Sequence, residues 1–235
     1  MKSKLKAFLA KKGWFLRKTA GISVGIDIFL DLKNRFGIDV FNIVDVGAHH
    51  GETIAEFKFH YPNSKIYAFE PILQNFEILK EKQPHWKDVF IEHFALSSTK
   101  GKTRLVLQKN SQTNSLQHTT DGAFNSNKTE EVEITTLDHY LEEKGIENID
   151  LLKIDVEGFE IQVLQGSGKT LAGNKIKMIL TEASLEYNDK NHTHLKDIQD
   201  FLIAYQFNLV GIYDQAFFDN PKKLGYFNAL FIAQK

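Results

Sequence analysis

The chain has 235 residues, 42% hydrophobic and 25% charged, which is enough for one large core and too ordinary a composition for a disordered or fibrous protein. It has no cysteine, which excludes disulfides and thiolate metal sites and fits a reducing, cytoplasmic setting, and no apolar run approaches the ~20 residues needed to cross a bilayer. The net charge of −1 conceals an asymmetry: the first 20 residues carry seven bases (Lys2, Lys4, Lys6, Lys11, Lys12, Arg17, Lys18) and no acid, leaving an acidic body that argues against a nucleic-acid partner.

Leu5, Phe8, Leu9, Phe15 and Leu16 share one face of a helical wheel beside those bases. That pattern is compatible with peripheral contact of residues 1–20 with an anionic membrane, although packing of the same stripe on the domain is the simpler account. A second helix is predicted over 22–36, where Ile22, Ile26, Phe29 and Leu30 keep helical spacing and Gly37 suits the C-cap. Residues 1–37 thus read as a basic helical extension and 38–235 as the main domain. Strands are predicted at 42–46, 65–69, 89–94, 149–154, 176–182, 207–212 and 226–233. Helices fall near 52–60, 73–82, 137–144, 160–166 and 194–205, with Pro71 at a helix start. This alternation is the pattern of an α/β fold, a mostly parallel sheet covered on both faces. It fails between 98 and 134, where KTRLVLQ (102–108) and EVEITTL (131–137) read as a β-hairpin insertion. The long polar connection between them is expected to overhang a site, with Asn114, Ser115 and His118 as readers of a substrate hydroxyl.

Residues 41–71 carry half of a nucleotide site: a buried strand, the turn GAHHG, a helix, a second strand, then Glu70 and Pro71. Gly47 lets the chain leave the strand sharply, and Gly51 opens a helix whose free N–H groups face the same crevice. Glu70 stands near the ~20-residue interval at which an acid ending a second strand reaches ribose hydroxyls. His49 occupies the place where a dinucleotide fingerprint needs a glycine for its pyrophosphate. That favours a nucleoside without phosphates, for which S-adenosylmethionine is the obvious candidate, with Asp45 near its amino group. The second run, LLKIDVEGFE (151–160), is a buried strand ending at Asp155, with Glu157 and Gly158 in the turn. In open α/β sheets ligands bind at such strand ends, near the point where strand order reverses.

On DVGAHHG (45–51), FEP (69–71), TNSL (113–116), TLDHYL (136–141) and LLKIDVEGFE, the chain resembles the FkbM family of methyltransferases over roughly residues 40–233. The resemblance implies an S-adenosylmethionine-dependent enzyme that O-methylates hydroxyls of sugars, glycans or natural products. It also implies the class I (Rossmann-like) sheet of seven strands, ordered 3-2-1-4-5-7-6 with the last strand antiparallel. By position, Asp45, Gly47, Ala48 and Gly51 would surround the methionine part, Glu70 the ribose, and Ala95 and Leu96 the adenine. His49, Thr53, Pro71 and Asp155 complete the expected cofactor set. The family usually has Asn where this chain has His49.

Methyl transfer is governed by positioning, worth ~7–11 kcal/mol, more than by a general base, worth ~10²- to 10⁴-fold. Asp155 is the first candidate to take the acceptor's proton; Glu157 could hold a hydroxyl or a cation, and Glu182 could read a sugar hydroxyl. These three carboxylates form an oxygen-rich set suited to Mg²⁺ or Ca²⁺, but no spacing demands an ion and no metal is assigned. His49 and His50 are alternative bases. His192 and His194 have the spacing of a ligand pair, yet Asn191 or Thr193 as a helix N-cap explains NHTH more simply. Tyr187, Tyr213, Phe217 and Phe218 could face a sugar ring, with core packing the better account for at least half of them. Two other readings remain open: an NAD(P)-dependent dehydrogenase, disfavoured by His49, and a peripheral membrane or scaffold protein that keeps the fold without catalysis, disfavoured by acids at three strand ends. The sequence does not give the oligomeric state.

Overall fold

The structure, a computed structural model, describes residues 12, 21–106, 129–189, 191–218 and 222–234. The chain divides into two compact units, Met1–Ile38 and Asp39–Lys235. In the first, helix α1 (Ile28–Asn34) begins where the Asp27 carboxylate accepts a hydrogen bond from Leu30 N at 2.8 Å. That cap makes the helix shorter than the predicted 22–36, because Asp27 is extended and Ile22 and Ile26 precede it. The basic stripe of residues 1–20 lies outside the described residues, apart from Lys12.

In the second unit, β1 (Asn42–Val46) buries Ile43, Val44, Asp45 and Val46 in succession, the mark of a parallel strand covered on both faces. Helix α2 (Glu52–His60), β2 (Lys65–Phe69), α3 (Leu73–Lys82) and β3 (Val89–Glu92) complete one half. The other half holds α4 (Leu137–Lys144), β7 (Ile149–Ile154), α5 (Glu160–Gln165), α6 (Gly168–Ala172), β8 (Ile176–Ser184), α7 (Leu195–Ile203), β9 (Phe207–Tyr213) and β12 (Tyr226–Ala233). The main sheet runs β3-β2-β1-β7-β8-β12-β9, and β12 is antiparallel to both neighbours. This is the expected seven-stranded order. Strand order reverses between β1 and β7, so the C-terminal ends of β1, β2 and β7 open on one crevice.

Several boundaries differ from the sequence reading, each for a local reason. The third strand stops at Glu92, not residue 94; His93 stacks on Phe76 at 4.5 Å, and Ala95–Leu96 forms β4 of a second sheet. That sheet runs β4-β6-β5, where β5 (Gly101–Val106) and β6 (Thr129–Thr135) are the predicted antiparallel pair. The helix predicted over 160–166 is found at Glu160–Gln165 with Gly166 as its C-cap, and the additional α6 follows it, its Lys169 and Thr170 N–H groups donating to the Asp138 carboxylate. Pro71 precedes the helix rather than opening it, since α3 begins at Leu73 after Ile72. A short pair, β10 (Phe217–Phe218) with β11 (Lys223–Leu224), was not foreseen. Asn114, Ser115 and His118 lie outside the described residues.

Candidate active site

A cavity of about 350 Å³ opens where β1, β2, β7 and β8 end. One side is the turn after β1, contributing Gly47, Ala48 and His49, with Glu52 and Thr53 from the start of α2. Glu70, Pro71 and Ile72 follow β2, and Ala95, Leu96 and Leu105 supply an apolar wall from the small sheet. The turn is possible only with glycine at position 47: its φ is +83°, and a Cβ there would sit 1.8 Å from the carbonyl oxygen of Asp155. Gly51, also at φ +83°, does not line the cavity; a Cβ there would fall 2.5 Å from the Trp86 ring. Glycine there lets the start of α2 pack closely on Trp86 and Leu79.

Glu70 is buried, and its carboxylate accepts from His49 N (2.8 Å), Ile72 N (2.9 Å) and Asn75 Nδ2 (3.3 Å). Burial nonetheless pushes its pKa up to about 7, the hydrogen bonds only partly offsetting it. His49, at φ +48°, stacks on His50 at 3.7 Å and faces Glu52 at 3.5 Å. Burial, then its neighbour His50, holds the His49 imidazole below its ordinary pKa.

Asp45 departs from expectation. It is 0% exposed and absent from the cavity lining, so it is not positioned to meet a cofactor's amino group. In the β1–β7 register Asp45 stands opposite Lys153, whose ammonium lies 3.5 Å from Asp45 and 3.0 Å from Asp155. Lys153 lies on β7 and Asp155 just beyond its end, so the buried lysine links a hidden acid to an acid in the cavity. Burial opposes the charge on Lys153, but Asp155 and Asp45 outweigh it and raise its pKa; burial likewise raises that of Asp45. Lys153 lines the cavity and was missed in the sequence reading, although a lysine inside the apolar strand LLKI was its signal.

Asp155, Glu157 and Glu182 do converge, all lining the cavity. Burial, then repulsion from Asp155, lifts Glu157 to about 8 and Glu182 to about 9. His192 joins them from the loop before α7, its Nε2 3.5 Å from Glu182 and its Nδ1 2.9 Å from Asp189. Its ring stacks on Tyr226, 4.3 Å between centroids, and Tyr226 also lines the cavity. The helix cap assigned to Asn191 or Thr193 belongs to His194, which accepts from Lys196 N. Thr193 instead bonds the buried Glu160 carboxylate through its N–H and hydroxyl, and Gly158 N donates to the same carboxylate. Among the aromatic candidates, Tyr213 is core, whereas Tyr187, Phe217 and Phe218 are exposed and line no part of this cavity. Neither do Tyr61, Lys65, Tyr140 or Lys144, the residues with the Tyr-x-x-x-Lys spacing of a dehydrogenase.

Residues 45–209 match the family described as the methyltransferase FkbM domain, about seven-tenths of the chain. The chain belongs to this family. The FkbM chain is 31% identical over 153 residues to methyltransferase sdnD of Sordaria araneosa, an alignment covering 53% of this chain and 59% of that protein. It therefore spans about three fifths of that relative's length. To 2-O-methyltransferase NoeI of Sinorhizobium fredii it is 24% identical over 177 residues, 70% of this chain and 72% of the other. Among solved structures, TrmK of M. capricolum in complex with S-adenosylhomocysteine aligns with a TM-score of 0.50 at 12% identity, covering 83% of this chain and 63% of that one. That likeness is one of fold, and it agrees with the class I strand order.

Proposed function

We propose that this chain transfers the methyl group of S-adenosylmethionine to a hydroxyl oxygen, with a sugar, glycan or natural-product hydroxyl as acceptor. The observation that carries this reading is the cavity at the strand-order reversal, lined by a glycine turn, an acid after β2 and a cluster of three carboxylates. Its volume falls within the ~300–1,000 Å³ range of small-molecule sites. The residues present fit an adenosyl amino acid. Three of the roughly four lone pairs of the Glu70 carboxylate are taken, which leaves one on Oε2 for a ribose hydroxyl, and Ala95, Leu96, Ile72 and Leu105 offer an apolar slot for a base. The backbone at Gly47 can be approached closely, and Lys153 and Asp155 present opposite charges to a zwitterion. Asp45 serves this set indirectly, by holding Lys153.

S-adenosylmethionine supplies, when bound, an electrophilic methyl carbon to which the acceptor oxygen bonds as the S–C bond breaks and its electron pair returns to sulfur. The protein's part is to hold the acceptor in line, since orientation is the larger contribution. Asp155 takes the hydroxyl proton, while Glu157 and Glu182 fix the acceptor's position. The O-methyl assignment is supported by the relative named as a 2-O-methyltransferase. Calorimetry with S-adenosylhomocysteine, followed by a labelled-methyl screen against glycan and natural-product alcohols, tests both halves. Absence of binding heat defeats the cofactor assignment, and transfer to nitrogen rather than oxygen defeats the acceptor class.

A further inference from the structure

We propose that Glu157, Glu182 and His192 form a binding site for a divalent cation of the Mg²⁺ and Mn²⁺ class at the edge of the cavity. One ligand atom from each lies within 4.8 Å of the others, although the residues come from the turn after β7, the end of β8 and the loop before α7. Glu182 Oε2 is buried, and among the described residues it has no hydrogen-bond partner. A carboxylate oxygen taken out of water without a donor is costly, and a coordinated ion removes that cost.

His192 is prepared as a ligand. With Nδ1 hydrogen-bonded to Asp189 at 2.9 Å and its ring stacked on Tyr226, Nε2 is held toward Glu182. A carboxylate behind the imidazole is the support that metal-bound histidines characteristically have. Glu160 is a positioning residue: by accepting from Gly158 on one segment and Thr193 on the other, it clamps the two loops that carry Glu157 and His192. Lys153, the nearby cation, is already shared between Asp45 and Asp155. The two carboxylates are the oxygen donors that suit Mg²⁺ and Mn²⁺, and the absence of thiolate disfavours a soft ion. Glu157 and Glu182 also line the cavity, so the remaining coordination positions face an acceptor's oxygens; this last point rests on the methyl-transfer reading, whereas ion binding does not.

The test is titration of the full chain with Mn²⁺, followed by electron paramagnetic resonance and calorimetry, with S-adenosylhomocysteine titrated separately. Saturable one-to-one binding is expected, weakened ~10-fold or more in Glu182→Gln and His192→Ala, and by a similar order in Asp189→Asn. Glu131→Gln, on the exposed face of the small sheet, should bind as the parent does. No saturable binding, or an unchanged affinity in Glu182→Gln, overturns the site; that variant is isosteric, so it decides the matter even if His192→Ala fails to fold. Adenosylhomocysteine binding without Mn²⁺ binding defeats the cation site alone. Mn²⁺ binding without adenosylhomocysteine heat defeats the methyl-transfer reading and leaves the site standing.

Discussion

Glu70 is a carboxyl held between two demands. Burial lifts its pKa to about 7, while the N–H groups of His49 and Ile72 favour its ionised form. Between its ordinary value of 4.5 and about 7 the folded chain keeps a proton that the unfolded chain has released. Its contribution to stability is therefore complete at low pH and lost as pH rises through 7. Glu70→Gln should flatten that part of the stability profile, as denaturant unfolding at pH 5 and pH 8 would show. In the proposed role the ionised form accepts a ribose hydroxyl, so affinity for S-adenosylhomocysteine should rise through pH 7 in the parent and fall ~10-fold or more in Glu70→Ala by calorimetry, loss of a hydrogen bond to a charged group being worth ~1.5–3 kcal/mol. Gly47→Ala combines a left-handed φ with a collision against Asp155 and should destabilise by well over ~1 kcal/mol in thermal melts. Gly47 was legible because a chain that leaves a buried strand sharply needs a residue without a Cβ at the turn. The role of Gly51 was not, since its partner Trp86 lies 35 residues on and no spacing announces that contact.

At the scale of elements, the β1–β7 register explains what the motif alone could not. Asp45 reads as a ligand-binding acid when only its own strand is considered; pairing with β7 places Lys153 across from it and turns it into a buried counter-ion. Lys153→Met should cost ~3–5 kcal/mol because it strands the Asp45 carboxylate, and Asp45→Asn in the same chain should restore part of that loss. A double-mutant cycle by urea unfolding measures the coupling. The carboxylates of Asp155, Glu157 and Glu182 were legible as strand-end and turn acids. His192 was missed as their companion because it comes from a loop joined to them only through tertiary contacts, the Glu160 clamp among them. The end of β3 was misjudged for a similar reason: Ala95 and Leu96 continue an extended run, but their hydrogen bonds go to β6.

For the whole molecule, strand alternation with a single irregular stretch was enough to specify a parallel sheet and its hairpin insertion, and the family resemblance supplied the order. Every residue lining the cavity belongs to the second unit. A chain of residues 39–235 should therefore retain affinity for S-adenosylhomocysteine within ~2-fold of the full chain, the spread expected of changes remote from a site. Calorimetry on both versions checks this.

The reversed direction of β12 has its own consequence. A parallel strand would show the crevice its exit, but β12 shows its entrance, so Tyr226 stands at the rim as the first residue of the strand, opposite Ser184 at the end of β8. The approach to that entrance, including the β10–β11 pair, comes from the opposite half of the topology to the glycine turn and Glu70. Among the described residues this approach gives the cavity lining Tyr226 alone, so a change there would alter one residue of the rim and leave the glycine turn and Glu70 in place.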